Sequence, residues 1–125
     1  MTQPDDTLAA RRVRGRTSQL KGREFEWRVQ RLLEGLGWDV VRSSGSHGPA
    51  DIYGWSHPNR VLWAIQCKGA RSTLGPAERE AWLAHCTRIN ALPVLAQPLV
   101  RGIRWRAWAG NHWVAVNPQD GGWVT

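Results

Sequence analysis

Asp51, a short apolar run and then Gln66-Cys67-Lys68 put a carboxylate, an amide oxygen and a primary amine within the reach of one hairpin. Upstream, Glu24 and Glu26 stand in a helix-forming segment. These residue types can build a site that holds a divalent metal beside a phosphate. Hydrolysis of a phosphodiester needs an anionic centre neutralised, a water deprotonated and a leaving oxygen stabilised. A Mg²⁺ ion held by a few oxygens serves all three needs and keeps several of its own waters. In this reading Asp51 is the anchoring ligand, the Gln66 side-chain oxygen a second and the main-chain carbonyl of Cys67 a third. Lys68 stands beside the scissile phosphate, orienting or deprotonating the water and offsetting charge in the transition state. The constellation points to a metal-dependent nuclease.

Several elements must position these groups. Phe25, Val29, Leu32, Leu33 and Leu36 recur at helical spacing, which predicts a helix from Ser18 with a stop at Gly35 and Gly37. At about 100° per residue Glu26 falls roughly 75° from the centre of the apolar stripe, while Glu24 lies more than about 120° away. Glu26 is therefore the better candidate to face a site, with Glu24 as the alternative. Strands are expected over 38–42, 51–55 and 61–67, with a glycine- and serine-rich loop over 43–49. A turn centred between Pro58 and Asn59 would set Asp51 opposite Gln66, with Cβ atoms about 5 Å apart. The two-residue period then places Gln66 and Lys68 on one face. Val61 to Ile65 is apolar on both faces, as a covered central strand requires. Gly75-Pro76 opens a second helix that stops near Asn90. Strand-like runs follow at 92–97, 103–108 and 113–116, and Pro93 and Pro98 restrict the first of them to an edge or a short strand. The order predicts an α/β fold, a mixed sheet flanked by helices.

Composition narrows the partners. A chain of 125 residues supports one hydrophobic core, so 18–125 is read as a single domain. Residues 1–17 lack apolar periodicity and become basic through Arg11, Arg12, Arg14 and Arg16, which reads as a flexible basic arm. Net charge is +7 with an excess of arginine, whose planar fork grips phosphate, so nucleic acid is the expected partner. No window is apolar enough for a membrane span and the first residues lack a signal-peptide core, so a cytoplasmic location is expected, in a prokaryote or the host of a virus. Cys67 and Cys86 make no disulfide framework, and His47, His57, His85 and His112 are too scattered to form a metal pair. No phosphate-cradling loop appears, so no nucleotide cofactor is expected. Nine tryptophans exceed what a wet surface would carry, so several belong to the core. Trp27 points away from the helix stripe, which suits a subunit interface or a cover.

Lys21-Gly22-x-x-x-Glu26, Arg42-Ser43-Ser44-Gly45-Ser46, Asp51 at a strand start and Gln66-x-Lys68 at a strand end resemble the archaeal-type Holliday junction resolvases, of the PD-(D/E)xK nuclease superfamily. The resemblance covers about residues 20 to 90. It implies a restriction-endonuclease-like core and a homodimer that nicks four-way DNA junctions with Mg²⁺, for which Mn²⁺ can substitute. Carried over, Glu26 matches the helix glutamate, Asp51 the metal aspartate and Lys68 the catalytic lysine, and Ser44 or Ser46 matches the loop serine near the phosphate. Gln66 departs from the pattern, standing where the family has a glutamate. An amide keeps an oxygen donor but removes a charge, a loss that Glu26 would offset by joining the metal ligands. Lys21, Arg23, Arg42 and Arg71 flank the expected site as phosphate contacts, and His47, in the loop before Asp51, is a further candidate DNA contact with Ser44 and Ser46. Arg104 and Arg106 alternate with Trp105 on a late strand, either adding to this surface or standing as solvated cations.

Each residue taken alone has a duller reading: a turn acid, a strand-end lysine, a helix-surface glutamate. Their joint occurrence in order favours the nuclease. Two other functions stay open: a general or flap endonuclease of the same fold, and a protein that binds junctions without cutting.

Overall fold

The computed structural model describes residues 8–43 and 48–120. Helix α1 spans Leu8–Gly35 and is followed by strands β1 (Asp39–Arg42), β2 (Ile52–Ser56) and β3 (Val61–Cys67). Helix α2 (Pro76–Ile89) leads to β4 (Leu92–Pro98), β5 (Ile103–Trp108) and β6 (Trp113–Ala115), and a short 3₁₀ turn covers Pro118–Asp120. The six strands form one sheet in chain order. Neighbours are antiparallel except β3 and β4, which α2 connects as a parallel crossover. The expected α/β class with a mixed sheet between helices is the observed one.

The two helices bury opposite faces of the sheet. Phe25, Val29 and Leu33 of α1 pack with Trp38, Ile52, Trp63 and Ile65 in the larger core. Trp63 is its centre, fully buried, with ring centroids 4.8 Å from Trp38 and 5.6 Å from Trp105. Trp82 and Cys86 of α2 close the other face over Ala64 and Leu95. The Trp82 indole N–H donates to the Ala64 carbonyl at 3.2 Å, so the buried ring leaves its donor satisfied. Gly54 brings α1 close to β2, since a Cβ there would stand 3.2 Å from the Trp38 ring and 3.4 Å from Leu33.

Two expectations are corrected. The first helix begins at Leu8, ten residues before the expected start at Ser18. Ala9, Ala10 and the arginines favour helix by propensity, yet they carry no apolar stripe to announce it. Strand β4 is neither short nor an edge: it runs seven residues between β3 and β5. Pro93 pairs with Ala64 of β3 and Pro98 with Ile103 of β5. Each proline sits where the strand has a neighbour on one side, so its missing N–H removes no central ladder bond.

The hairpin register sets up the site. Ile52 pairs with Ile65 and Ser56 with Val61 around a turn at 57–60. That turn is centred between Pro58 and Asn59, which carries Asp51 to the level of Gln66.

Candidate active site

Asp51 immediately precedes β2 at the sheet end where β3 and β4 finish, and its main-chain N–H donates to the Ile65 carbonyl at 2.9 Å. One carboxylate oxygen, Oδ2, accepts the Cys67 N–H at 2.8 Å. The bond fixes the rotamer and leaves the other oxygen for a ligand. A cleft of about 540 Å³ opens there, lined by Asp51, Cys67 and Lys68 of the sheet end and by Lys21 and Glu26 of α1. Gly69 and Ser72 extend the wall beyond β3. Glu24 is exposed outside this lining, so of the two helix acids it is Glu26 that joins Asp51.

Charge in the cleft is crowded. Burial raises the Glu26 carboxyl above the usual range and the Asp51 charge raises it further, against the lowering pull of Arg42 and Arg23. Burial also raises Asp51, opposed by the Cys67 N–H and by Lys68, while Glu78 adds to the rise. The Cys67 thiol is pushed well up by burial and by both carboxylates, which keeps it neutral and unsuited to act as a nucleophile. Two partly desolvated acids repelling each other, with one oxygen of Asp51 unspent, form a hard-oxygen donor set that fits a divalent cation with retained waters. Among the described residues no group of three or more acidic, histidine or cysteine side chains surrounds a common point. The fit therefore rests on two carboxylates and a main-chain oxygen.

Lys68 lines the cleft and pairs with Glu78, in the first turn of α2, with Nζ to Oε1 at 2.7 Å. Glu78 was not a sequence candidate, although an acid in the first turn of a helix that starts soon after a candidate lysine is a usable signal. Gln66 differs from expectation. It is buried, its amide nitrogen donates to the Pro49 carbonyl, and it is not among the residues lining the cleft. Gln66 alternates with Ile65 and Cys67 of the α1-side core and so faces the α2 side, where it holds the loop before Asp51. Lys68, of the same parity, lies past the end of β3 and lines the cleft while pairing with Glu78 of α2.

Lys21 lines the cleft and Arg23 is exposed beside it. The Arg42 guanidinium stands 5.2 Å from the centre of the Trp27 ring, with Arg31 5.5 Å from the same ring. Trp27, 47% exposed, is thus bracketed by cations on the flank of Glu26. Arg71 is exposed and outside the cleft lining. Ser44, Ser46 and His47 lie outside the described residues.

Gln97 is a second residue that sequence reading missed. It is buried on β4, donates to the carbonyls of Gly69 at 3.0 Å and Ser72 at 2.9 Å, and so pins the segment that follows Lys68. A polar residue inside an otherwise apolar strand was the available signal.

The fold, one mixed six-stranded sheet between two helices, is shared with a solved Holliday junction resolvase. Among solved structures, the chain is similar to Hjc, a Holliday junction resolvase from the archaeal hyperthermophile Archaeoglobus fulgidus. The TM-score is 0.59 at 21% identity, over 83% of this chain and 91% of that one. No protein-family model and no curated protein matches the sequence.

Proposed function

We propose that the chain is a structure-selective DNA endonuclease that resolves four-way junctions by Mg²⁺-dependent phosphodiester hydrolysis. The reading is carried by the convergence of Glu26, Asp51 and Lys68 in one cleft of a resolvase fold. Asp51 and Glu26 would hold the metal with the Cys67 carbonyl. Mn²⁺ is an acceptable substitute because it takes the same hard oxygens. When bound, the metal supplies Lewis-acid polarisation of the phosphoryl oxygen and a lowered pKa for a water. Lys68 presents its side-chain nitrogen to the water and the phosphate. Glu78 holds that side chain through its ion pair. Lys21, Arg23 and Arg42 hold backbone phosphates on the α1 side, and Arg71 meets the strand leaving the site. A site of this kind works as a homodimer, one cleft per nicked strand, on DNA in the cytoplasm.

Incubation with a mobile four-way junction and a matched linear duplex, in Mg²⁺ and then in chelator, tests this directly. Paired nicks in the junction alone, lost in chelator, are expected. Cutting of both substrates would point to a general or flap nuclease. A second reading, junction binding without cutting, is favoured by the turn of Gln66 away from the cleft and predicts a shifted, intact junction under both conditions.

A further inference from the structure

Beyond the cleft, on the α2 side of the sheet, Arg104 and Arg106 of β5 converge on one atom. Both donate through Nη2 to the side-chain oxygen of Gln97, at 2.8 Å and 2.6 Å. Gln97 is 2% exposed and its amide nitrogen is already spent on Gly69 and Ser72, so its oxygen is fixed in place. Two like charges are therefore held side by side by a neutral acceptor. Among the described residues the ion pairs are His57 with Asp39 and Lys68 with Glu78, and neither involves these arginines. The Arg106 ring neighbour is Trp113, 5.3 Å from its guanidinium to the ring centre, and its Nε is buried without a partner. Burial and the nearby Arg104 both work against the Arg106 charge. An amide oxygen offsets only part of such a pair, and the geometry of two forks aimed from one anchor suits an oxyanion.

We propose that Arg104 and Arg106, anchored by Gln97, form a backbone-phosphate subsite for the DNA strand that passes the cleft, on the far side of segment 69–72 from Asp51. The inference deepens the nuclease reading and rests on it. A linear polyanion suits the place because Gly69 and Ser72, whose carbonyls Gln97 holds, also line the cleft. A strand lying beside Lys68 would meet that ledge with its next phosphates. The same glutamine thus ties the grip on the strand to the position of the segment after Lys68.

The test is binding of a labelled four-way junction and a matched duplex by fluorescence anisotropy, in chelator, over a salt series. Wild type is compared with Arg104→Ala/Arg106→Ala. The double variant is expected to bind about tenfold or more weakly, with the slope of log affinity against log salt reduced by about one to two contacts. Arg104→Ala alone, which leaves Arg106 on the Gln97 oxygen, is expected to show about half of that slope change. The double lysine variant keeps charge without the planar forks and should fall between wild type and double alanine. Equal melting midpoints exclude unfolding as the cause, and if the double alanine variant melts early the exposed Arg104→Ala decides. Competition by millimolar inorganic phosphate to the same degree as by duplex would mean a free-anion site and overturn the proposal. Wild-type affinity and slope in the variants would overturn it too, while leaving the nuclease reading standing. Failure of wild type to bind either DNA at low salt would remove that reading, and the subsite with it.

Discussion

Asp51 and Glu26 are costly neighbours, because burial raises both carboxyls and Asp51 raises Glu26 further. A carboxyl whose folded value is raised binds protons more tightly folded than unfolded. The folded state therefore loses stability as pH climbs from about 4, the ordinary carboxylate range, through the raised values, and regains it as pH falls. The melting midpoint of Asp51→Asn in chelator should exceed that of wild type by a few degrees at neutral pH, and the gap should close on acidification through that window. Asparagine keeps an oxygen for the Cys67 N–H, so the change isolates the charge. Mg²⁺ should raise the wild-type midpoint and leave the variant's nearly unmoved, and a variant that melts below wild type in chelator contradicts the crowding of the two acids. In activity the signs reverse: Asp51→Asn and Lys68→Ala should each lower cutting by at least about a hundredfold to a thousandfold. Both should bind the junction nearly as wild type does, and loss of binding in both contradicts the roles of metal ligand and catalytic lysine. Gln66→Glu places a carboxylate against the Pro49 carbonyl in a buried setting and removes a donor. It should destabilise by about 1–3 kcal/mol, read as a lower denaturant midpoint with unchanged slope.

At the scale of elements, the site exists because β2 starts where β3 and β4 end and α1 lies across that end. Gly54 permits the contact: a branched side chain there would meet the Trp38 ring and Leu33. Gly54→Val should cost about 1–3 kcal/mol through overpacking. If α1 lifts to relieve it, Glu26 leaves the cleft and cutting should fall with stability, whereas full cutting at reduced stability would show that α1 is not the lever. Much of this arrangement was legible in the sequence. Helical spacing separated Glu26 from Glu24, the turn at Pro58 and Asn59 fixed the register that brings Asp51 level with Gln66, and Asn90, in the left-handed region at φ 57°, caps α2 where expected. What was not legible shares one cause, dependence on partners distant in the chain. Gln97 reads as an oddity until segment 69–72 and β5 surround it. Glu78 reads as a first-turn acid until Lys68 arrives from another element. Pro93 and Pro98 argued against a central β4 because sequence does not say on which side each proline has a neighbour. Residues 8–17 lacked the stripe by which helices are recognised, although propensity already favoured them.

The whole molecule carries a net charge of +7, with Lys21 lining the cleft, Arg23 and Arg42 near Glu26, and Arg104 and Arg106 gathered on Gln97 at the α2 side of the sheet. A field of this kind attracts any polyanion, so under the proposed function charge alone would not select a branched substrate, and selection would have to come from geometry. One described chain presents one cleft that gathers Glu26, Asp51 and Lys68. Two symmetric nicks across a four-way junction require two such clefts at a fixed separation, which a single chain does not provide. A closed two-fold pair meets that requirement, because junction and dimer can then share an axis. Sedimentation of the complex with a labelled junction, in chelator and at moderate salt, should give a mass of one junction with two chains. That stoichiometry should persist when protein is in modest excess, since a third chain would have no symmetric place. A mixture of wild type and Lys68→Ala should then give complexes that nick a single strand, in the proportion random pairing dictates. Uncoupled single nicks from wild type, or a complex of one chain per junction that still makes both cuts, would show that pairing of subunits is not what makes the cutting symmetric.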